Sequence, residues 1–167
     1  MKIFINPGHC VGEDSGAYGF GLAEADVALN IAEKVADYLK VVDCEVKIFQ
    51  YDGLAEIVDV ANYWNADIFV SVHCNAADGH AKGTETFYFS DEGAQLADCI
   101  QNQIVSKLGT VDRGIKAANF YVIKHTNCPA VLVETAFIDN VDDNALLADN
   151  QDYFARAIAC GISDYLS

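Results

Sequence analysis

The chain has 167 residues, with 25 acidic and 10 basic side chains and a formal net charge of -15. This length suits one domain with a sizeable core, so we expect residues 1–167 to form a single domain. The shortage of Lys and Arg argues against nucleic-acid binding, because phosphate backbones need clustered positive charge. No apolar run approaches the roughly 20 residues of a membrane-spanning helix, and no signal peptide is recognisable, which leaves the export route open.

Short apolar runs alternate with helical patterns along the chain. Strands are predicted at residues 3–5, 44–49, 68–72, 83–89, 120–124 and 131–133, with residues 83–89 near an edge of the sheet. Helices are predicted at residues 22–40, 54–64 and 91–108, and a further helix near the C-terminus includes residues 153–165. This order indicates an α/β fold. We expect a twisted, largely parallel (mixed) central sheet of about six strands with helices on both faces.

Three chemically capable side chains follow buried strands. His9 follows the run 3–5 through Asn-Pro-Gly, His73 directly follows the run 68–72, and Glu134 directly follows the run 131–133. In open α/β sheets, ligands bind outside the carboxyl ends of the strands. We therefore expect these three side chains to converge at one edge of the sheet.

Glu24 lies on the wrong face of its predicted helix for a solvated carboxylate. On a helical wheel it falls within the apolar arc, close to Ala28, Ile31 and Val35. A buried carboxylate must be neutralised or find a cation, and two His with one Glu are typical ligands of catalytic zinc. Glu24 could instead satisfy backbone donors or pair with an Arg.

Each histidine also has an ordinary structural explanation. His9 or His73, taken alone, is more often a structural residue than a ligand. His80 and His125 are expected in solvated loops, although either could replace one of the proposed ligands. The coincidence of His9 and His73 with strand ends and with Glu24 favours the metal site.

Several segments resemble one enzyme family over nearly the whole chain. They are residues 5–9 (Ile-Asn-Pro-Gly-His), Glu24 at the start of the first long helix, and residues 67–76, 82–88 and 129–140. In this order they are similar to the zinc-dependent N-acetylmuramoyl-L-alanine amidases of the amidase type 3 family. The resemblance implies that His9, Glu24 and His73 bind one Zn²⁺ per chain and that Glu134 is catalytic. It also implies hydrolysis of the bond between the lactyl group of N-acetylmuramic acid and L-alanine.

The residue types suit that reaction. Zinc bound by two imidazoles and one carboxylate can polarise a carbonyl and activate water near neutral pH. Glu134 is then expected to take a proton from that water and pass it to the leaving amine. Substrate contacts are assigned to Asn75, Arg113 and Lys116. The last two could meet a carboxylate of the stem peptide or could be plain surface charge.

One position departs from the family pattern. Many members carry an Arg in the second helix where this chain has Ile57. If that Arg supports folding, Ile57 repacks apolar surface; if it holds substrate, affinity or specificity should differ here.

A muropeptide-binding domain without turnover, or a zinc peptidase acting on other peptides, would share the ligand set. The expected partner is peptidoglycan, so the chain should act on the cell wall. Because wall polymers are also largely anionic, an additional wall-binding module or activator is expected to bring this acidic domain to its substrate.

Overall fold

The computed structural model describes all residues from Met1 to Ser167. The helices pack against a central six-stranded sheet. A separate ribbon has two short strands. The strands are β1 (Lys2–Pro7), β2 (Tyr18–Gly19), β3 (Leu22–Ala23), β4 (Glu45–Ile48), β5 (Ile68–Asn75), β6 (Thr84–Tyr88), β7 (Asp112–Ala117) and β8 (Ala130–Phe137). The helices are α1 (Glu24–Lys40), α2 (Leu54–Tyr63), α3 (Asp91–Leu108), α4 (Tyr121–His125), α5 (Val141–Asp149) and α6 (Gln151–Tyr165).

The central sheet is mixed but mostly parallel. Its strand order is β4-β1-β5-β8-β6-β7, and β2 pairs only with β3. β1 runs parallel to β4 and β5, and β5 runs parallel to β8. β6 is antiparallel to β8 and parallel to β7, so one antiparallel junction divides the sheet. This arrangement confirms the predicted α/β class and places β6 next to the edge strand β7.

One face of the sheet is closed by a large apolar core. The 27 buried residues of this core come mainly from the sheet and from α1, α3 and α6. Ile31, Leu96, Ile100 and Phe154 are all fully buried in it. Helices α1, α3 and α6 therefore cover this face of the sheet.

The opposite face carries a smaller core and remains partly uncovered. Its nine buried residues include Phe4 and Phe69, whose rings stack at 5.5 Å, together with apolar side chains from α2 and α4. Strand alternation places His73 on this second face, because its neighbours Val72 and Cys74 belong to the first core. A cavity beside these two short helices reaches His73, near the carboxyl end of β5.

The structure corrects one predicted strand. Residues 120–124 do not form a strand: Tyr121–His125 is the short helix α4. Val122 and Ile123 are both buried although they are adjacent, which fits a helical face and not the alternating pattern of a strand. The sixth strand is instead Asp112–Ala117, and helix α5 was not predicted.

The six helices have from 5 to 18 residues. None of them combines the length and the apolar composition that crossing a bilayer requires.

Candidate active site

Three predicted ligands meet at one end of the uncovered face. His9 Nε2 lies 3.1 Å from Glu24 Oε2, and His73 Nδ1 lies 2.9 Å from Glu24 Oε1. The two imidazole rings are 5.4 Å apart and nearly perpendicular. Each carboxylate oxygen of Glu24 therefore faces one histidine nitrogen.

The backbone at His9 is held in an uncommon conformation. His9 has a φ of 59°, in the left-handed region that few non-glycine residues occupy. Its ring Nδ1 lies 2.6 Å from Asp14 Oδ2, and the Cys10 N–H donates to the Asp14 carbonyl at 2.9 Å. Such strain is found at functional sites, where the surrounding contacts fix it. Asp14 thus orients His9 so that Nε2 points toward Glu24.

Two glycines leave the space that the ligand side chains occupy. A Cβ atom at Gly8 would collide with the His73 ring, and a Cβ atom at Gly16 would collide with His9 and Glu24. Gly16 also has a φ of 64°, which disfavours any side chain there. The backbone approaches the site this closely only because both positions lack a side chain.

Glu24 is the first residue of α1 and is buried, with 4% of its surface exposed. Besides the histidines, its carboxylate accepts hydrogen bonds from the backbone N–H groups of Ala17 at 2.9 Å and Cys74 at 3.0 Å. Burial disfavours its ionised form, but the hydrogen bonds from His73 and His9 outweigh this and hold the pKa of Glu24 well below its ordinary value. The same contact with Glu24 raises the pKa of His9 to about 9, against the opposing effect of burial.

This donor set fits a divalent metal ion. One ligand atom from each of His9, Glu24 and His73 lies within 4.8 Å of the others. Two imidazoles and a carboxylate are suited to catalytic zinc, and the Asp14–His9 contact resembles the carboxylate–histidine pairs that orient zinc ligands. His80 and His125 do not belong to this group; the His125 ring packs against Tyr121 at 4.4 Å.

Glu134 lies beside this cluster with one oxygen unsatisfied. It pairs in register with His73 across β5 and β8, so both side chains lie on the uncovered face. Its Oε2 is buried and has no hydrogen-bond partner. Burial, with the nearby charges of Glu24 and Glu85 adding to it, raises the pKa of Glu134 to about 7, although His73 opposes the shift. A carboxyl group poised near neutrality can accept and return a proton.

The three predicted substrate contacts converge on a fourth residue, Glu85. The Asn75 side chain donates to Glu85 Oε1 at 2.7 Å, and Arg113 Nε donates to Oε2 at 3.0 Å. Lys116 Nζ also donates to Oε2. Glu85 is paired in register with Glu134 across β6 and β8, which places this cluster directly next to the catalytic candidate.

An apolar cavity adjoins the other side of the ligand cluster. It has a volume of about 330 Å³ and reaches both His9 and His73. Aromatic and aliphatic side chains dominate its walls: Tyr51, Leu54, Ile57, Phe120, Tyr121, Val122 and Leu132. Ile57 is 2% exposed and packs in the smaller core, so it forms part of the apolar wall of the cavity.

Comparison with known proteins supports the resemblance seen in the sequence. The family model described as N-acetylmuramoyl-L-alanine amidase matches residues 3–164. The chain belongs to this amidase family. It is 42% identical over 98% of its length to the N-acetylmuramoyl-L-alanine amidase LytC of Bacillus subtilis, and 43% identical over 98% of its length to YqiI of the same organism.

Solved structures in the amidase family share the fold. The N-acetylmuramoyl-L-alanine amidase AmiC2 of Nostoc punctiforme superimposes with a TM-score of 0.94 at 36% identity, covering 99% of this chain and 97% of that chain. The matched region is 84% of YqiI but only 35% of LytC, so LytC contains much sequence beyond it.

The sequence did not reveal two residues that contact the predicted site residues, Asp14 and Glu85. Asp14 sits in a glycine-rich loop beside Glu13, and nothing in the sequence distinguishes the two acids. Glu85 gave a usable signal, because the alternation of residues 83–89 places it with Phe87 and Phe89 on one face of a strand. Recognising its role required knowing that β6 pairs with β8.

Proposed function

We propose that this chain is a zinc-dependent peptidoglycan hydrolase that cleaves the amide bond between the lactyl group of N-acetylmuramic acid and L-alanine. The observation that carries the proposal is the buried, unpaired Glu134 oxygen next to a three-ligand site. A purely structural metal site would not need a carboxylate with an unpaired oxygen beside it, because burying such a group lowers the stability of the fold. Membership of the amidase family supports the choice of bond.

The residues divide the reaction between them. His9, Glu24 and His73 hold the ion, which when bound supplies Lewis-acid activation of the amide carbonyl and of water. Glu134 takes a proton as the water oxygen bonds to the carbonyl carbon, and it gives a proton to the nitrogen as the C–N bond breaks. Asp14 keeps His9 in the orientation that binding requires.

We assign the substrate contacts to Asn75, Arg113 and Lys116. The side chains of Arg113 and Lys116 are 33% and 42% exposed, so both can reach a ligand while bound to Glu85. Carboxylates of the stem peptide are the natural partners for them. The neutral sugar is expected on the apolar side, because acidic Asp14 and Asp52 line the cavity there and would repel an anionic peptide.

We place the activity at the bacterial cell wall and take residues 1–167 as one catalytic domain. With a net charge of -15, the domain is not drawn to an anionic wall by long-range electrostatics. A wall-binding module or a separate activator is therefore part of the proposal. Fusion to a wall-binding module should increase lysis at low salt.

The test is product analysis on purified peptidoglycan. Zinc-loaded wild type should release peptides that begin with L-alanine and leave glycan strands intact, as seen by mass spectrometry. Chelated protein should release none, and Glu134→Gln should release peptides at least about 100-fold more slowly. Glu13→Gln, which removes an exposed carboxylate next to Asp14, serves as a control.

Two other outcomes would replace or narrow the proposal. Cleavage of ordinary oligopeptides at comparable rates would indicate a zinc peptidase. Muropeptide binding without release of peptide, with zinc bound, would indicate either a domain that binds without turnover or an enzyme that needs a separate activator.

A further inference from the structure

Glu85 is a buried carboxylate that the proposed chemistry does not use. It is 5% exposed and accepts hydrogen bonds from three side chains, one amide and two cations. These contacts outweigh the cost of burial and lower the pKa of Glu85, so it is ionised at neutral pH. One carboxylate thus faces two cations, and the cluster carries a net positive charge in a strongly acidic protein.

The sheet does not depend on this cluster to join β6 to β7. The backbones pair from Thr84 to Tyr88, and on the opposite face Gln101 donates to the Thr84 carbonyl at 2.8 Å and to Asp112 at 2.7 Å. Thr86 also donates to Gln101 at 2.9 Å. The buried charge of Glu85 therefore needs another explanation, since buried ion pairs contribute little net stability.

The geometry of the cations supplies that explanation. The Arg113 guanidinium packs over the Phe137 ring at 4.9 Å, and Lys116 Nζ lies 5.9 Å from the Phe87 ring centre. With Glu85 beneath them, both long side chains are restrained from two directions. Lys116 keeps N–H donors that Glu85 does not use, as does the Arg113 fork. Pre-oriented donors bind a carboxylate at a lower entropic cost than mobile ones.

We propose that Glu85 is a positioning residue that holds Arg113 and Lys116 so that the site selects stem peptides with a free carboxylate over their amidated forms. The inference rests on the proposed amidase function. It identifies the substrate class more closely, as muramoyl peptides that are anionic near the scissile bond. Glu85 itself does not touch the substrate.

The test uses two soluble muramoyl peptides that differ only in whether the second residue of the stem carries a free or an amidated α-carboxyl group. Wild type should cleave the free acid with a kcat/KM about tenfold higher or more, the range expected for a charge-assisted hydrogen bond. Arg113→Met and Lys116→Met should each lower this ratio, mainly through KM. Glu85→Gln should lower it as well, because the cations lose their common anchor.

Coupling distinguishes positioning from a general structural effect. In an Arg113→Met/Lys116→Met background, adding Glu85→Gln should not change the ratio of kcat/KM for the free acid to kcat/KM for the amidated peptide. A purely structural role would lower kcat/KM for both substrates equally and keep the ratio. If Glu85 only neutralised the cations, Glu85→Gln would raise the ratio; either of these results would overturn the proposal.

Two further measurements keep the test decisive. Glu85→Asp keeps the charge with a shorter reach and should give an intermediate ratio, so it replaces Glu85→Gln if that variant does not fold. Lys40→Gln removes one remote positive charge on α1 and should leave the ratio unchanged. Failure of the zinc-loaded domain to cleave either peptide would count against amidase activity of this domain alone, whereas equal cleavage of both by wild type would refute only this inference.

Discussion

The two faces of the central sheet differ in how completely they are covered and in what they bury. One is packed against α1, α3 and α6 in a core of 27 buried residues, and the other carries nine buried residues under two short helices. The same strands supply both, since alternate side chains point to opposite faces. His73 and Glu134 lie on the second face between apolar neighbours that anchor the first. The face covered by α1, α3 and α6 (the closed face) makes the domain rigid. The uncovered face (the open face) accommodates buried charge and an accessible cavity.

The largest expected effect is on catalysis at the open face. Glu134→Gln should lower kcat by about 100- to 10,000-fold, because it removes the group that transfers protons. It should still bind zinc, since His9, Glu24 and His73 are untouched, whereas His73→Ala should lose both activity and metal. Kinetics together with metal analysis of dialysed protein measures both. An active Glu134→Gln protein would contradict the assignment.

Two core substitutions, one on each face of the sheet, should differ in how much stability they remove. Ile100→Ala on the closed face should lower the free energy of unfolding by about 2–5 kcal/mol, because Ile100 is fully buried and leaves a cavity. Leu132→Ala should lower the free energy of unfolding by less, since Leu132 is 7% exposed and already borders a cavity. Because that cavity reaches the metal site, Leu132→Ala should also change KM. Urea unfolding and steady-state kinetics give the comparison. Equal stability losses, with KM unchanged in Leu132→Ala, would remove the distinction.

A smaller effect is expected from the residue that orients His9. Asp14→Asn should weaken zinc binding by about 10- to 100-fold, the usual consequence of losing a carboxylate that orients a ligand histidine. Competition with a chromophoric chelator measures the affinity. The adjacent Glu13→Gln, which makes the same change of charge on an exposed side chain, should bind zinc as wild type does.

The pH dependence of chelated protein tests the His9–Glu24 contact. The pKa of His9 is about 9 in the folded chain and about 6.5 when unfolded. A raised folded pKa gives stability that is fully present below pH ~6.5 and is lost as the pH rises through about 9. Because His9 is partly exposed, we expect a loss on the order of 1–2 kcal/mol. Urea unfolding from pH 6 to 10 should show it in wild type and not in His9→Ala.

The sequence was most informative where burial and chemistry coincide. The strands leading to His73 and Glu134 are apolar except for Ser71, and Glu24 stands out because its helix has a separate polar face. The edge strand β7 was missed because Gly114, with a φ of 77°, and charged neighbours interrupt any alternation. Helix α4 was mistaken for a strand because Tyr121-Val122-Ile123 has β propensity, which tertiary packing overrode.

Two contacts beside the predicted residues could not be foreseen from the sequence. That Glu85 faces Glu134 depends on the antiparallel register of β6 and β8, and that Asp14 reaches His9 depends on a loop conformation. Both contacts are set by tertiary packing, so the sequence indicates neither pair of partners.

The most direct test of zinc-dependent chemistry on the open face is anomalous diffraction at the zinc edge from crystals of the zinc-loaded Glu134→Gln protein. We expect a single strong peak bound by His9, Glu24 and His73, at about 2.0–2.2 Å from one atom of each, with the side chain at position 134 facing it. A peak ligated by cysteine sulphur, or no peak between these three residues, would contradict the account.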